Sequence, residues 1–117
     1  MNPNKKPRSP SPLSTIDTEA VGQAAARESR NREAFVPPVS VYRWWARRTQ
    51  AVSGAVIDAF TQSSDQPLVI ADPFCGGGTI PLAALLRGHK VYAQDINPWA
   101  TRGLQAMLTL PSPKRLE

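Results

Sequence analysis

The spacing of apolar residues divides the chain into a polar beginning and a longer part with regular hydrophobic patterning. Residues 1–13 consist mostly of Pro, Ser, Asn, Lys and Arg and contain almost nothing apolar. A segment of this composition buries too little surface to offset the entropy lost on ordering, so we expect a disordered basic tail. Residues 14–117 are expected to form part of a single domain.

A first helix is predicted from about Asp17 to Arg32. Asp17 or Thr18 can cap its start, Glu19 lies in its first turn, and arginines crowd its end. This is the charge order that the helix dipole favours. The apolar stripe of the segment is narrow, so the helix needs to pack against another part of the protein to be stable.

A second, longer helix is predicted after Pro37 and Pro38, from about Val41 to Gln62, with Ser40 as its cap. Arginines lie near its amino-terminal end, where the dipole disfavours cations, which suggests a functional rather than a stabilising role. Apolar residues at helical spacing predict one continuous buried stripe. The stripe consists of Trp45, Val52, Val56 and Phe60, with Ala55 and Ala59.

A strand–helix–strand unit is predicted in the second half of the chain. The run 68–71 is short and entirely apolar, as in strands buried on both faces, and a helix follows from about Thr79 to Arg87, ended by Gly88. Residues 91–93 form the second strand, and another helix follows it. Such a unit is parallel and right-handed. Because two parallel strands cannot cover themselves, the sheet is incomplete or is completed by another polypeptide.

Candidate chemistry lies at the carboxyl ends of both strands, where open parallel sheets bind ligands. Gly76, Gly77 and Gly78 allow a sharp turn and close approach of the backbone to a ligand. Asp95 ends the second strand roughly 20 residues later, the spacing expected of a carboxylate that accepts hydrogen bonds from ribose hydroxyls. A purely structural glycine turn is the alternative. A nicotinamide site is less favoured, because G-x-G-x-x-G is absent and Asp72 precedes the turn.

Charge and composition restrict the function further. The net charge of +5 and the pI near 10 permit contact with nucleic acid, although several cations lie in the tail and can be merely solubilising. The single cysteine, Cys75, excludes an internal disulfide and fits a reducing compartment. No apolar run approaches the ~20 residues that span a bilayer. We therefore expect a soluble, cytoplasmic protein without membrane contact.

The motifs resemble those of a known family. D-P-F-C-G-G-G-T-I-P-L-A-A and D-I-N-P are similar to the first two motifs of class I methyltransferases that use S-adenosylmethionine (SAM), in particular those acting on exocyclic amines of DNA bases. V-Y-R-W-W-A-R-R, with E-S-R-N-R-E before it, resembles the amino-terminal part of large adenine-specific DNA methylases. The resemblance covers roughly residues 17–113. The first motif also occurs in RNA guanine methyltransferases.

The resemblance implies an α/β fold, a partial Rossmann-like methyltransferase sheet preceded by two helices, with SAM as cofactor. It places Asp72 near the methionine amino group, Asp95 at the ribose and Ile96 against the adenine, with the segment from Trp45 to Arg48 closing the pocket. An ordinary core role for the tryptophans and a solvated role for the arginines are the alternatives. The expected cofactor-binding residues are Trp45, Arg48, Asp72, Pro73, Phe74, Cys75, Gly76, Gly77, Gly78, Asp95, Ile96 and Asn97.

The sequence departs from that family in one important respect. The D/N-P-P-Y/W motif, which holds the target amine and stacks on the flipped base, is absent, and Asn97-Pro98-Trp99 lacks the second proline. We therefore expect no catalytic residue and no metal ligand in this chain. It is interpreted as the cofactor-binding subunit of a split DNA base amino-methyltransferase, acting on adenine N6 or cytosine N4. A larger companion subunit would supply the catalytic motif and DNA contact. A non-catalytic regulator or remnant, or part of an RNA methyltransferase, is the alternative.

Overall fold

The helices and strands follow one another in the predicted order. The computed structural model describes residues 9–31 and 44–109. Within these residues, a 3₁₀ helix over Pro12–Thr15 is followed by α1 (Thr18–Arg30), α2 (Gln50–Thr61), β1 (Val69–Asp72), α3 (Thr79–Leu85), β2 (Lys90–Ala93) and α4 (Pro98–Thr109). The α/β class is confirmed. The domain boundary placed after residue 13 stays a prediction, and most of the predicted tail lies outside the described residues.

The two strands form a parallel pair that is covered on one face. Ile70 lies opposite Val91 in the register, and both side chains pack against a buried cluster formed by α2 and α3. The opposite face is open, since Val69 is 70% exposed and Tyr92 is 58% exposed. Parallel strands are normally covered on both faces. The sheet is thus compatible with a partial methyltransferase fold.

The second helix is shorter than the sequence predicted. It begins at Gln50 rather than at Val41: Trp45 and Ala46 form a turn, and the backbone at Thr49 is extended. Thr49 is the cap, and its hydroxyl accepts a hydrogen bond from the Val52 amide. The predicted cap Ser40 and residues 41–43 lie outside the part of the chain that the structure describes. The arginines at positions 47 and 48 therefore precede the helix.

The buried side of α2 also differs from the prediction. Val52, Val56 and Phe60 of the predicted stripe are exposed, and Ala59 of the stripe is buried as predicted. Ser53 and Ile57, which lie outside the stripe, are buried. Gly54 is buried as well, and the guanidinium of Arg87 occupies the space where a β-carbon at residue 54 would lie. Small residues on this side let α2 approach α3 closely. Arg87 then pairs with Asp58 of α2 through two contacts, Nε to Oδ1 at 2.6 Å and Nη2 to Oδ2 at 3.0 Å.

A carboxylate from α1 caps α2 from outside the helix. Glu28 is buried, and its two oxygens accept hydrogen bonds from the backbone amides of Gln50 at 2.7 Å and Ala51 at 3.1 Å. These amides belong to the first turn, where a helix has no internal acceptors. A negative charge at this position also complements the helix dipole. Helix α1 is thus attached to the start of α2.

Replacing Glu28 with alanine is expected to destabilise the protein by about 1–2 kcal/mol, the usual cost of removing a helix cap. Glu28→Gln keeps one acceptor oxygen and should recover part of this loss. The free energy of unfolding, measured by denaturant titration, checks both variants. Glu19→Ala removes an exposed glutamate from the same helix and is the matched control. An equal, small effect at Glu28 and Glu19 would contradict the capping role.

Candidate functional site

The glycine turn and Asp95 meet at the carboxyl edge of the sheet, as the sequence predicted. The Cys75 amide donates to the Gln94 carbonyl at 2.9 Å, and the Gly76 amide donates to Oδ2 of Asp95 at 2.8 Å. Within the turn, the Gly78 amide donates to the Cys75 carbonyl at 2.7 Å. The turn after β1 is therefore fixed to the segment after β2, and both lie at the edge where parallel sheets bind ligands.

Glycine is required in this turn for conformation and for space. Gly76 and Gly78 have φ values of 46° and 73°, in the left-handed region that side chains disfavour. Gly78 is also the residue that precedes α3, and a β-carbon there would come within 2.9 Å of Leu104 and Met107 methyl groups. The turn thus packs directly on α4.

Asp95 is already hydrogen-bonded through both of its oxygens. Besides the Gly76 amide, the amide of Asn97 donates to Oδ1 at 2.8 Å. These hydrogen bonds, that from Asn97 first and that from Gly76 second, lower the pKa of the Asp95 carboxyl below its usual value. An ionised carboxylate has about four acceptor positions. Acceptor capacity for ribose hydroxyls therefore remains, in addition to a structural role that the sequence did not predict.

The other expected cofactor residues line the same edge. Phe74 is 84% exposed and Ile96 is 98% exposed, which is unusual for large apolar side chains and typical of surfaces that receive a ligand or a partner. Pro73 is exposed beside them. The Asp72 carboxylate, at the end of β1, accepts a hydrogen bond from the Phe74 amide at 3.2 Å. Asn97 caps α4 through a 2.9 Å bond from the Trp99 amide.

The structure brings Trp44, rather than Trp45, against the glycine turn. A β-carbon at Gly76 would lie 3.2 Å from the nearest atom of the Trp44 side chain, and a β-carbon at Gly77 would lie 2.9 Å from it. Trp45 is 92% exposed. The backbone carbonyl of Arg48 accepts from the hydroxyl of Thr79, so Arg48 contacts the site through its main chain. The sequence did not predict Trp44 and Thr79 as site residues. The pair Trp44-Trp45 was the only indication of an aromatic side chain at the turn, and it did not show which of the two lies there.

Cys75 faces inward from the turn. It is buried and lines an apolar cleft of about 400 Å³ between β2, α3 and α4. Burial raises the pKa of the thiol, and the carboxylates of Asp95 and Asp72 raise it further. The thiol is therefore protonated at neutral pH and is a weak nucleophile in this state.

Alkylation of Cys75 by iodoacetamide at pH 7.5 is expected to be at least about tenfold slower than alkylation of the same thiol in denatured protein, because the thiolate is the reactive form and is disfavoured by burial. Mass spectrometry at timed intervals gives both rates. Equal rates would show that the thiol is accessible and that the turn opens readily.

Two further properties concern only residues 9–31 and 44–109. No helix in these ranges is long and apolar enough to span a bilayer. In the same ranges, no group of three or more His, Cys, Asp or Glu side chains is placed to hold a metal ion.

Comparisons with known proteins identify one informative relative. The chain is 29% identical over 98 residues to the tRNA (guanine(37)-N(1))-methyltransferase of Encephalitozoon cuniculi. The alignment covers 82% of the chain but only 26% of that protein, so the chain spans about a quarter of its relative's length. No protein-family model matches the chain, and no solved structure matches it. The similarity supports a relationship to methyltransferases.

Proposed function

We propose that the chain binds SAM and forms the cofactor-binding part of a SAM-dependent methyltransferase. The main support is the glycine turn hydrogen-bonded to Asp95 at the carboxyl edge of a parallel pair of strands. This arrangement places a carboxylate that still has acceptor positions beside a glycine turn at the strand ends, as adenosyl and dinucleotide sites do. The similarity to a methyltransferase favours a methyl donor as that ligand.

The residues present fit the parts of this cofactor. The turn from Phe74 to Gly78 would surround the methionine portion, with Asp72 near its amino group. Asp95 would accept hydrogen bonds from the ribose, and Ile96, which is almost fully exposed, would contact the adenine. Trp45 and Arg48 would close the pocket from the side of the segment before α2. When bound, SAM supplies a methyl group on its sulfonium for in-line transfer to a nucleophilic nitrogen, and this chain would contribute positioning.

The proposed substrate is an exocyclic amine of a DNA base, adenine N6 or cytosine N4. The resemblance of the W-W-A-R-R and D-P-F-C-G-G-G-T segments to DNA amino-methyltransferases supports it, and the net charge of +5 suits a nucleic-acid complex. RNA is the second candidate, because the relative methylates guanine 37 of tRNA according to its name. Parallel assays on DNA and tRNA distinguish the two substrates.

A companion polypeptide would supply the missing parts of the enzyme. The D/N-P-P-Y/W motif is absent from the sequence, and the sheet face that includes Val69, Ala71 and Tyr92 is open. The proposed occupant of this face is the remainder of a methyltransferase sheet with its covering helices, since parallel strands are normally buried on both sides. Assembly with that companion would give the chain an enzymatic role. A regulator or remnant that binds SAM without chemistry is the alternative.

Calorimetric titration of the assembled protein with SAM tests the proposal directly. Saturable binding with one site per chain is expected, and S-adenosylhomocysteine should compete. NADH is the control ligand, because it also contains adenosine but lacks the methionine portion. Absence of SAM binding, or equal binding of NADH, would overturn the proposed function.

The chain by itself is expected to self-associate or to fold poorly. The open sheet face and the exposed Val52, Val56 and Phe60 of α2 present more apolar surface than monomers usually tolerate. Sedimentation velocity and amide hydrogen exchange on the purified chain measure this. Replacing Val69 and Tyr92 with threonine should reduce self-association. A well-protected, stable monomer would contradict the proposed companion.

A further inference from the structure

The segment that precedes α2 lies across the glycine turn. We define the strap as residues 44–50. At one end of the strap, the Trp44 side chain lies over Gly76 and Gly77, which it approaches so closely that neither position has room for a β-carbon without movement. Trp44 also packs against the buried cluster of Cys75, Leu82, Leu104 and Met107.

The other end of the strap is hydrogen-bonded to the residue that follows the turn. The hydroxyl of Thr79 donates to the Arg48 carbonyl at 3.3 Å. The side-chain amide of Gln50 donates to the Thr79 carbonyl at 3.1 Å. Thr79 is buried and is the first residue of α3. The strap therefore contacts the turn through Trp44 and the first residue of α3 through Arg48 and Gln50.

The strap is itself held by α1. The buried Glu28 carboxylate accepts from the amides of Gln50 and Ala51, where the strap continues into α2. A carboxylate with two backbone donors in a buried position fixes the segment more firmly than a solvent-exposed contact would. Glu28 of α1 thus helps to hold Trp44 in its position over the turn.

We propose that the strap is a positioning element for the cofactor turn and that Trp44 is its positioning residue. The inference rests on the proposed function, because it assigns SAM affinity to the shape of the turn. Three consecutive glycines lack a β-carbon, so the turn has little intrinsic preference for one conformation. The indole of Trp44 restricts the turn to the form in which Gly76 donates to Asp95. Trp44 therefore affects the affinity for SAM by fixing the conformation of the turn.

Trp44 variants test this role by titration of the assembled protein with SAM. Trp44→Ala is expected to weaken affinity at least about tenfold. Trp44→Phe keeps an aromatic ring over the glycines and should remain within about threefold of the unmodified protein. Leu86→Ala removes an exposed apolar side chain from the end of α3, away from the turn, and is the control, with unchanged affinity. Equal affinities of Trp44→Ala and the unmodified protein would overturn the inference while leaving the proposed function in place.

A double-mutant cycle between Trp44→Gly and Gly77→Ala tests the contact itself. Gly77→Ala alone places a β-carbon 2.9 Å from the Trp44 β-carbon and should lower both affinity and the unfolding temperature. In the Trp44→Gly protein, the same change should have less than half that effect, because the opposing side chain is gone. Additive effects would overturn the inference, and the unfolding temperature reports them even where affinity is too weak to measure. Failure of the unmodified protein to bind SAM would overturn the proposed function, and this inference with it.

Discussion

Replacing Gly77 with valine is expected to abolish methyl transfer by the assembled enzyme. A β-carbon at residue 77 would lie 2.9 Å from both Cβ and Cγ of Trp44. The position of Cβ is fixed by the main chain and does not change when the side chain rotates, so the turn or the strap must move. Gly77 is not among the glycines with positive φ, so the conflict is steric rather than conformational. Transfer of radiolabelled methyl groups from SAM to DNA and to tRNA measures the loss.

Gly22→Val is the matched control for this prediction. Gly22 lies in α1 with nothing within 4 Å of its β-carbon position, so activity should be retained. The chain without its companion should transfer no methyl group even at saturating SAM, because it lacks an acceptor motif. If the proposed companion carries the proline–aromatic motif, a mutation there should be equally inactivating while SAM binding persists. Methylation by the chain alone, in protein shown free of any companion, would overturn the split arrangement.

Replacing Asp95 with alanine is expected to lower SAM affinity at least about tenfold. The substitution removes the proposed ribose acceptor and also the acceptor of the Gly76 and Asn97 amides. Charge-assisted hydrogen bonds of this kind are stronger than those between neutral groups. Calorimetric titration measures the affinity. Asp65→Ala removes an exposed loop carboxylate and is the control. Unchanged affinity in Asp95→Ala would show that the end of β2 does not hold the cofactor.

The pH dependence of stability separates the structural role of Asp95 from its role in binding. Its pKa is lower in the folded protein, so the stabilisation from its carboxylate is fully present above the unfolded-state value of about 3.9. This stabilisation is lost as the pH falls through the folded-state pKa. Unfolding temperatures between pH 5 and pH 2 should therefore fall less steeply in Asp95→Asn than in the unmodified protein. Parallel curves would mean that the two amide bonds contribute nothing.

Sequence patterns predicted the elements whose determinants are local. The cap residues Asp17 and Asn97 and the left-handed Gly88 lie where expected, because each acts on neighbours within a few residues. The start of α2 was wrong by nine residues, since its first amides are satisfied by Glu28 from another helix. Its buried side was predicted correctly only at Ala59, whereas Val52, Val56 and Phe60 are exposed. The guanidinium of Arg87 lies over Gly54 on the buried side, a long-range contact that helical periodicity does not encode.

Part of the candidate site was predicted from the sequence, namely the position of the glycine turn and of Asp95. The spacing of the glycine turn and Asp95 placed both groups at one edge of the sheet, because strand direction and chain length leave little choice. The decision between Trp44 and Trp45 depends on a turn outside any regular element, and adjacent side chains at such a turn point in different directions. The use of both Asp95 oxygens by backbone amides likewise depends on the geometry of the loop after β2.

The contact between Glu28 and the start of α2 has a consequence for the order of folding. The two partners are separated by 22 residues, so their encounter requires closure of a loop, which is entropically costly and slower than helix propagation. The first turn of α2 is therefore completed only after α1 has docked. Because the strap ends at that turn, the glycine turn is expected to reach its final shape only after α1 has docked.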